Sequence, residues 1–243
     1  MSISKFTNIK EQSILNAKQI VQWKKHNKVY NFDSLPKTVI LTNQSSYLSR
    51  FKKYFHKQIK GLSCESYVIN KKYVLCTKFG NGSPAIISLM EELIALGIEN
   101  FIFIGYAGIL TNNIKEGSVF ITNKAFSLTG TSFHYYNDTE IEYSNPLTTM
   151  FLNKFKLPKN TILSTDAPFR ELPSQIAYFT KKGVALIDME VASILAFSKY
   201  KKINTACFII TADNLTDGVW KHPKNMKILQ QINLNLIKDI IKI

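Results

Sequence analysis

The sequence predicts a single α/β domain with a central mixed β-sheet flanked by helices on both faces. Short apolar, β-branched runs alternate along the chain with longer segments of helical period. At 243 residues and 45% hydrophobic, the chain suits one large core better than two small ones. No repeat, low-complexity tract or linker interrupts the alternation. One domain is therefore expected over 1–243, with 1–37 as a basic helical N-terminal extension.

The elements follow in order. "QSILNAKQIVQW" reads as an amphipathic helix, "TVILT" as a strand and "SYLSRFKKYF" as a helix. "SYVIN" and "YVLCT" form a hairpin across Asn70, Lys71 and Lys72. "GNGSPAIISLMEELIALG" is a Gly-bounded turn opening an apolar helix that ends at Gly97, and it leads into the buried strand "FIFIGYAG". Further strands are expected at "SVFIT", "TILST", "VALI" and "TACFIITAD", with helices near 146–155, 172–182, 189–199 and 224–242.

Composition narrows the function classes. Residues 1–72 hold 14 Lys and Arg against 3 Asp and Glu, so +11 of the formal +14 is amino-terminal. Nearly all of it is lysine spaced by Asn and Ile, and no helix-turn-helix, zinc-finger or RNP pattern accompanies it. Nucleic acid is not an expected partner. Arginine is confined to Arg50 and Arg170, which marks both as candidates for binding an anion through a planar fork. Cys64, Cys76 and Cys207 form no CxxC pair, so neither a disulfide framework nor a metal site is expected. No apolar run approaches the ~18 residues of a membrane span, and the amino terminus has no signal-peptide core. A cytoplasmic protein is expected.

In such folds ligands bind beyond the carboxyl ends of the strands. The loops there are Phe79 to Pro84, Gly105 to Gly108, Ser164 to Arg170 and Ala212 to Asn214. "FGNGSP" and "GYAG" match neither a Walker A loop nor a dinucleotide fingerprint. In "LIDMEVASILAF", Asp188 and Glu190 stand where a helix begins. They read there either as a cap and a first-turn charge or as chemistry. Asp213 reads as a strand-end turn with Asn214 or as an acid.

The succession "FGNGSPAIISLMEELIALGIENFIFIGYAGIL", "GTSFHYY", "STDAPF", "DMEVAS" and "ITADN" resembles the nucleoside phosphorylase superfamily, which includes purine nucleoside phosphorylase, uridine phosphorylase and the methylthioadenosine nucleosidases. The likeness runs over roughly residues 38 to 240. It implies cleavage of a nucleoside's N-glycosidic bond by a homodimer or higher homo-oligomer. Met189 would pack on the ribose, and Glu190 would bind its hydroxyls and stabilise the oxocarbenium-like charge. Asp188 would be the capping acid. Asp213 would share a proton with the departing base. Phe169 would stack on the base, Arg170 would sit among groups that read it, and Gly82, Tyr106, Ala107, Gly108 and Asp166 would complete the substrate site. Of the four histidines, His134 matches a family segment, while His26, His56 and His222 are further candidates to serve a neighbouring subunit.

The chain departs from the family at phosphate. "TVILT" runs into "NQSSYLSR" where a Gly-Asp-Pro loop with arginine is usual. Phe103 stands at a usual arginine position, and Tyr106 follows the glycine in place of Ser or Thr. Arg50, Lys53 or Lys78 would have to substitute. The expectation is phosphorolysis with no cofactor beyond inorganic phosphate as co-substrate. Hydrolysis to free ribose is the alternative raised by Phe103.

Overall fold

The computed structural model describes residues 8–9, 11–44 and 54–243. Helix α1 (Ala17–His26) starts in a capping box, with Asn16 Oδ1 accepting from Gln19 N–H and Gln19 Oε1 from Asn16 N–H. The chain continues through β1 (Thr38–Leu41), β2 (Phe55–Ile59) and a hairpin of β3 (Glu65–Ile69) and β4 (Tyr73–Thr77). Most of the helix expected over "SYLSRFKKYF" lies outside the described residues, and its last residue, Phe55, opens the strand β2 instead. Helix α2 (Ser83–Ala95) follows, with Pro84 in its first turn, then the ten-residue strands β5 (Asn100–Ile109) and β6 (Val119–Leu128). The remainder is β7 (Glu140–Glu142), α3 (Pro146–Phe155), β8 (Lys159–Thr165), α4 (Pro173–Lys181), β9 (Val184–Asp188), α5 (Val191–Lys201), β10 (Asn204–Asn214) and α6 (Met226–Ile240).

The extension is tied to the domain. Lys24 Nζ reaches Glu92 Oε1 on α2 at 2.6 Å and the Gly61 carbonyl at 2.9 Å, and the Tyr30 hydroxyl donates to the same Glu92 oxygen at 2.6 Å. Part of the amino-terminal lysine charge is thus spent inside the protein.

The strands form one mixed sheet in the order β10-β6-β8-β9-β5-β1-β4-β3-β2. Because β10 also pairs with β5, five of them (β5, β10, β6, β8 and β9) close into a ring, and β1, β4, β3 and β2 continue from β5 as an open sheet. Helices α2 and α5 pack on one core and α3 and α6 on another, while Phe179 of α4 closes a third. Alternation along β5 divides the layers, with Phe101 and Phe103 on the α2 and α5 side and Ile102 and Ile104 on the α6 side. Helix α5 is buried from Val191 through Ser198, as a helix apolar nearly all round must be.

The position of the site follows from how β5 pairs. One edge lies along β10 for its whole length. The other pairs with β1 only over Asn100–Phe103 and with β9 only at Gly108 and Ile109. Between these contacts the edge is left open, and β1 and β9 diverge on either side of it. Such a split beside strand carboxyl ends is where open α/β sheets bind ligands.

Candidate active site

A cleft of about 280 Å³ occupies this split, lined by Phe103 to Gly108 of β5, Asn43 and Gln44 after β1, Ile187 to Glu190, Pro168, Glu171 and Asp213. It has two ends.

At the Glu190 end, β9 turns into α5. Asp188 Oδ2 accepts from Val191 N–H at 2.9 Å, and its Oδ1 accepts from the Ser164 hydroxyl at 2.5 Å. Ser164 Oγ in turn accepts from Ala192 N–H at 2.8 Å, so two free N–H groups of the helix start are satisfied. Asp188 is therefore the cap. Burial, reinforced by the neighbouring charge of Glu190, pushes its carboxyl up to about 8. Glu190 stands at the N-cap by backbone, yet its carboxylate caps nothing. It accepts from Gly82 N–H at 2.6 Å across the cleft wall. Gly82 has φ +88, a conformation that side chains resist, and Ser83 Oγ donates to Met189 O at 2.8 Å. The two loops are thus clipped together. Burial raises the Glu190 carboxyl, while the N–H groups of Gly82 and Met189 pull it down. Asp166 accepts from Gly130 N–H at 2.7 Å and adds its charge to that shift.

Phe103 fills the cleft floor. Its ring lies over Gly105, so that a Cβ there would stand 2.5 Å from Phe103 Cε1 and 2.6 Å from Cζ. The ring is 4% exposed and packed into the α2 and α5 core. Asn43 holds the adjoining wall, accepting from Phe79 N–H at 3.2 Å and donating to Gly80 O and Asn81 Oδ1.

At the other end Asp213 closes the cleft from β10. Its Oδ2 accepts from Trp220 Nε1 at 2.9 Å. The strand-end turn belongs instead to Asn214, whose Oδ1 accepts from Thr216 N–H at 2.9 Å and Thr216 Oγ1 at 2.7 Å. Glu171 enters just after the 3-10 turn Pro168–Arg170, and burial with the charge of Asp213 pushes its carboxyl up to about 7. A second recess, of about 770 Å³, shares Pro168, Glu171 and Asp213 with the cleft and is walled by Phe169, Ile176, Leu215 and Trp220.

The structure sorts the residues singled out from sequence. Met189, Glu190, Ala107, Gly108 and Asp213 meet at the cleft, Gly82 is bonded to Glu190, and Asp166 stands behind it. Tyr106 gives the cleft its backbone, while its ring packs on the α6 side, where burial holds its phenol up to about 12. Phe169 is fully exposed, which excludes a core-packing role, and it lines the recess. Arg170 is exposed and lines neither cavity. Lys78 is not brought to the site, because it pairs with Glu65 at 2.6 Å. Arg50 and Lys53 lie outside the described residues. His134 lines a separate recess against α1 and α2, His222 bonds Pro223 O, and His56 is exposed on β2. Glu171, Trp220, Asn43 and Ser164 were not singled out. Of these only Trp220, an isolated indole in a polar loop, carries a signal that sequence reading can use.

Among the described residues no group of three or more His, Cys, Asp or Glu is placed to hold a metal ion, and no helix is long and apolar enough to cross a membrane. The family model described as the phosphorylase superfamily matches residues 44–242. An uncharacterized protein of Acanthamoeba polyphaga mimivirus is 27% identical over 59% of this chain, which spans 58% of that protein, less than two thirds of its length. A DeoD-type purine nucleoside phosphorylase of Clostridium novyi is 22% identical over 67% of this chain and 73% of its own. A uridine phosphorylase of Haemophilus influenzae is 36% identical over 28% of this chain and 27% of its own. With the family model covering most of the sequence, and with the split sheet and the Met-Glu turn in place, the chain belongs to the phosphorylase superfamily.

Proposed function

We propose that this protein cleaves the N-glycosidic bond of a nucleoside and passes the ribosyl group to water. The sugar lies at the Glu190 end and the base at the Asp213 end. Breaking the bond builds positive charge on the ribose, and a half-buried carboxylate fixed by a backbone N–H stabilises that charge without reorganising. Glu190 on Gly82 has this arrangement. The observation that carries the choice of acceptor is Phe103. Its ring covers Gly105 on the cleft floor, an apolar surface that offers a phosphate dianion no donor.

A second reading, phosphorolysis, is favoured by the relatives named as phosphorylases. It requires a cation from outside the cleft walls described, with Arg50 as the candidate.

The experiment is to incubate the protein with purine and pyrimidine nucleosides, with and without phosphate, and to identify the sugar released. Free ribose at a rate unchanged by phosphate is expected. Ribose 1-phosphate formed only with phosphate would establish the second reading, and an intact panel would overturn both.

A further inference from the structure

We infer that Glu171 is the acid at the base end of the cleft, and that the proton passed to the departing base comes from its carboxyl. The inference rests on the nucleoside-cleaving reading and names the acid within it.

Both side chains line the mouth shared by the cleft and the apolar recess. No Lys, Arg or His among the described residues lines either cavity, so none of these residues neutralises the two carboxyls. A neighbouring negative charge in a half-buried space favours the protonated form of a carboxyl. Two observations separate the two side chains. Asp213 Oδ2 already accepts the Trp220 indole N–H. Among the described residues Glu171 receives no such donor, and burial together with the charge of Asp213 pushes its carboxyl up to about 7. Arg170, its chain neighbour, is not among the groups acting on it.

The step balances without a further reactant. As the bond between ribose C1′ and the base nitrogen breaks, its electron pair moves onto the base, and the Glu171 proton moves to another ring nitrogen, so the base leaves neutral. Water adds to C1′ and gives its proton back to the Glu171 carboxylate through solvent. A base with a second basic ring nitrogen, as in a purine, fits this chemistry.

The test compares wild type and Glu171→Gln from pH 5.5 to 8.5 on two substrates: the purine nucleoside that wild type cleaves fastest, and p-nitrophenyl β-D-ribofuranoside, whose leaving group needs no proton. Glu171→Gln is expected to lower kcat about 100-fold on the nucleoside and to leave kcat on the nitrophenyl riboside within about threefold. Wild-type kcat on the nucleoside should fall as pH rises through about 7, and the variant should lose that limb. Glu190 and Asp188, at the sugar end, act on both substrates alike, so the comparison cancels them. Equal losses on both substrates, or a pH limb kept by the variant, would overturn the inference. Should the variant fail to fold, a wild-type limb present on both substrates or on neither would overturn it as well. A wild type that cleaves nothing overturns the parent reading, and this inference with it.

Discussion

The two ends of the cleft are built differently. At the Glu190 end each acid is locked into the framework: Asp188 by Ser164 and the first N–H of α5, and Glu190 by Gly82. At the other end Asp213 stands on β10, but Phe169 and Trp220 around it are on exposed segments. Phe169 is fully exposed, Trp220 is 61% exposed, and the Asp213 carboxylate accepts its hydrogen bond from that exposed indole. One end is prepared before a ligand arrives, while the other has apolar surface left to bury on a ligand. Substitutions at the first end should therefore disturb both folding and turnover, and those at the second turnover alone.

That contrast can be broken by experiment. The largest effect is expected from Glu190→Ala, which removes the carboxylate proposed to face the ribose. kcat should fall about 100- to 1,000-fold, and a fall below tenfold would deny Glu190 its electrostatic role. Next is Asp188→Ala, which leaves the Ser164 hydroxyl and the Val191 N–H unpaired in a buried place. A loss of about 2 to 4 kcal/mol in denaturant unfolding is expected, and a loss under 1 kcal/mol would make the cap dispensable.

The same residue carries a pH signature. Its folded value, about 8, lies above the ordinary 3.8. The folded chain thus keeps a proton that the unfolded chain gives up, and stability contributed by this group declines as pH rises from about 4 to about 8. Melting across that range should show a shallower decline in Asp188→Ala than in wild type. Asp213→Asn should lower kcat about tenfold or more on purine nucleosides with melting unchanged. A large drop in melting temperature there would erase the contrast between the ends. The smallest effect is expected from Lys78→Ala, since that lysine serves an exposed pair with Glu65. Activity with and without phosphate should stay within about twofold, and a phosphate-specific loss would return Lys78 to the site.

The central strands, the hairpin at residues 70–72 and helix α2 were legible because hydrophobic period and turn chemistry are local signals. The split of β5 was not, because its register against β1, β9 and β10 depends on strands 60 to 105 residues away. Nor was β7, which has only three residues. The capping role of Asp188 came from the family likeness, and the structure supplies its physical reason: Asp188 is the acid within reach of Val191 N–H. Glu171 stayed invisible because its environment is made by Asp213, 42 positions later, and no local motif marks it.

The close seating of Phe103 on Gly105 also constrains the order in which this chain can change. A side chain at 105 is excluded while the ring is present, since a Cβ would fall 2.5 Å from it. If Phe103 is first replaced by a smaller residue, position 105 opens to alanine or serine, whereas the reverse order passes through a clashing intermediate. The two positions are thus epistatic. An evolutionary path, natural or in the laboratory, that places a side chain at 105 is expected to begin at 103.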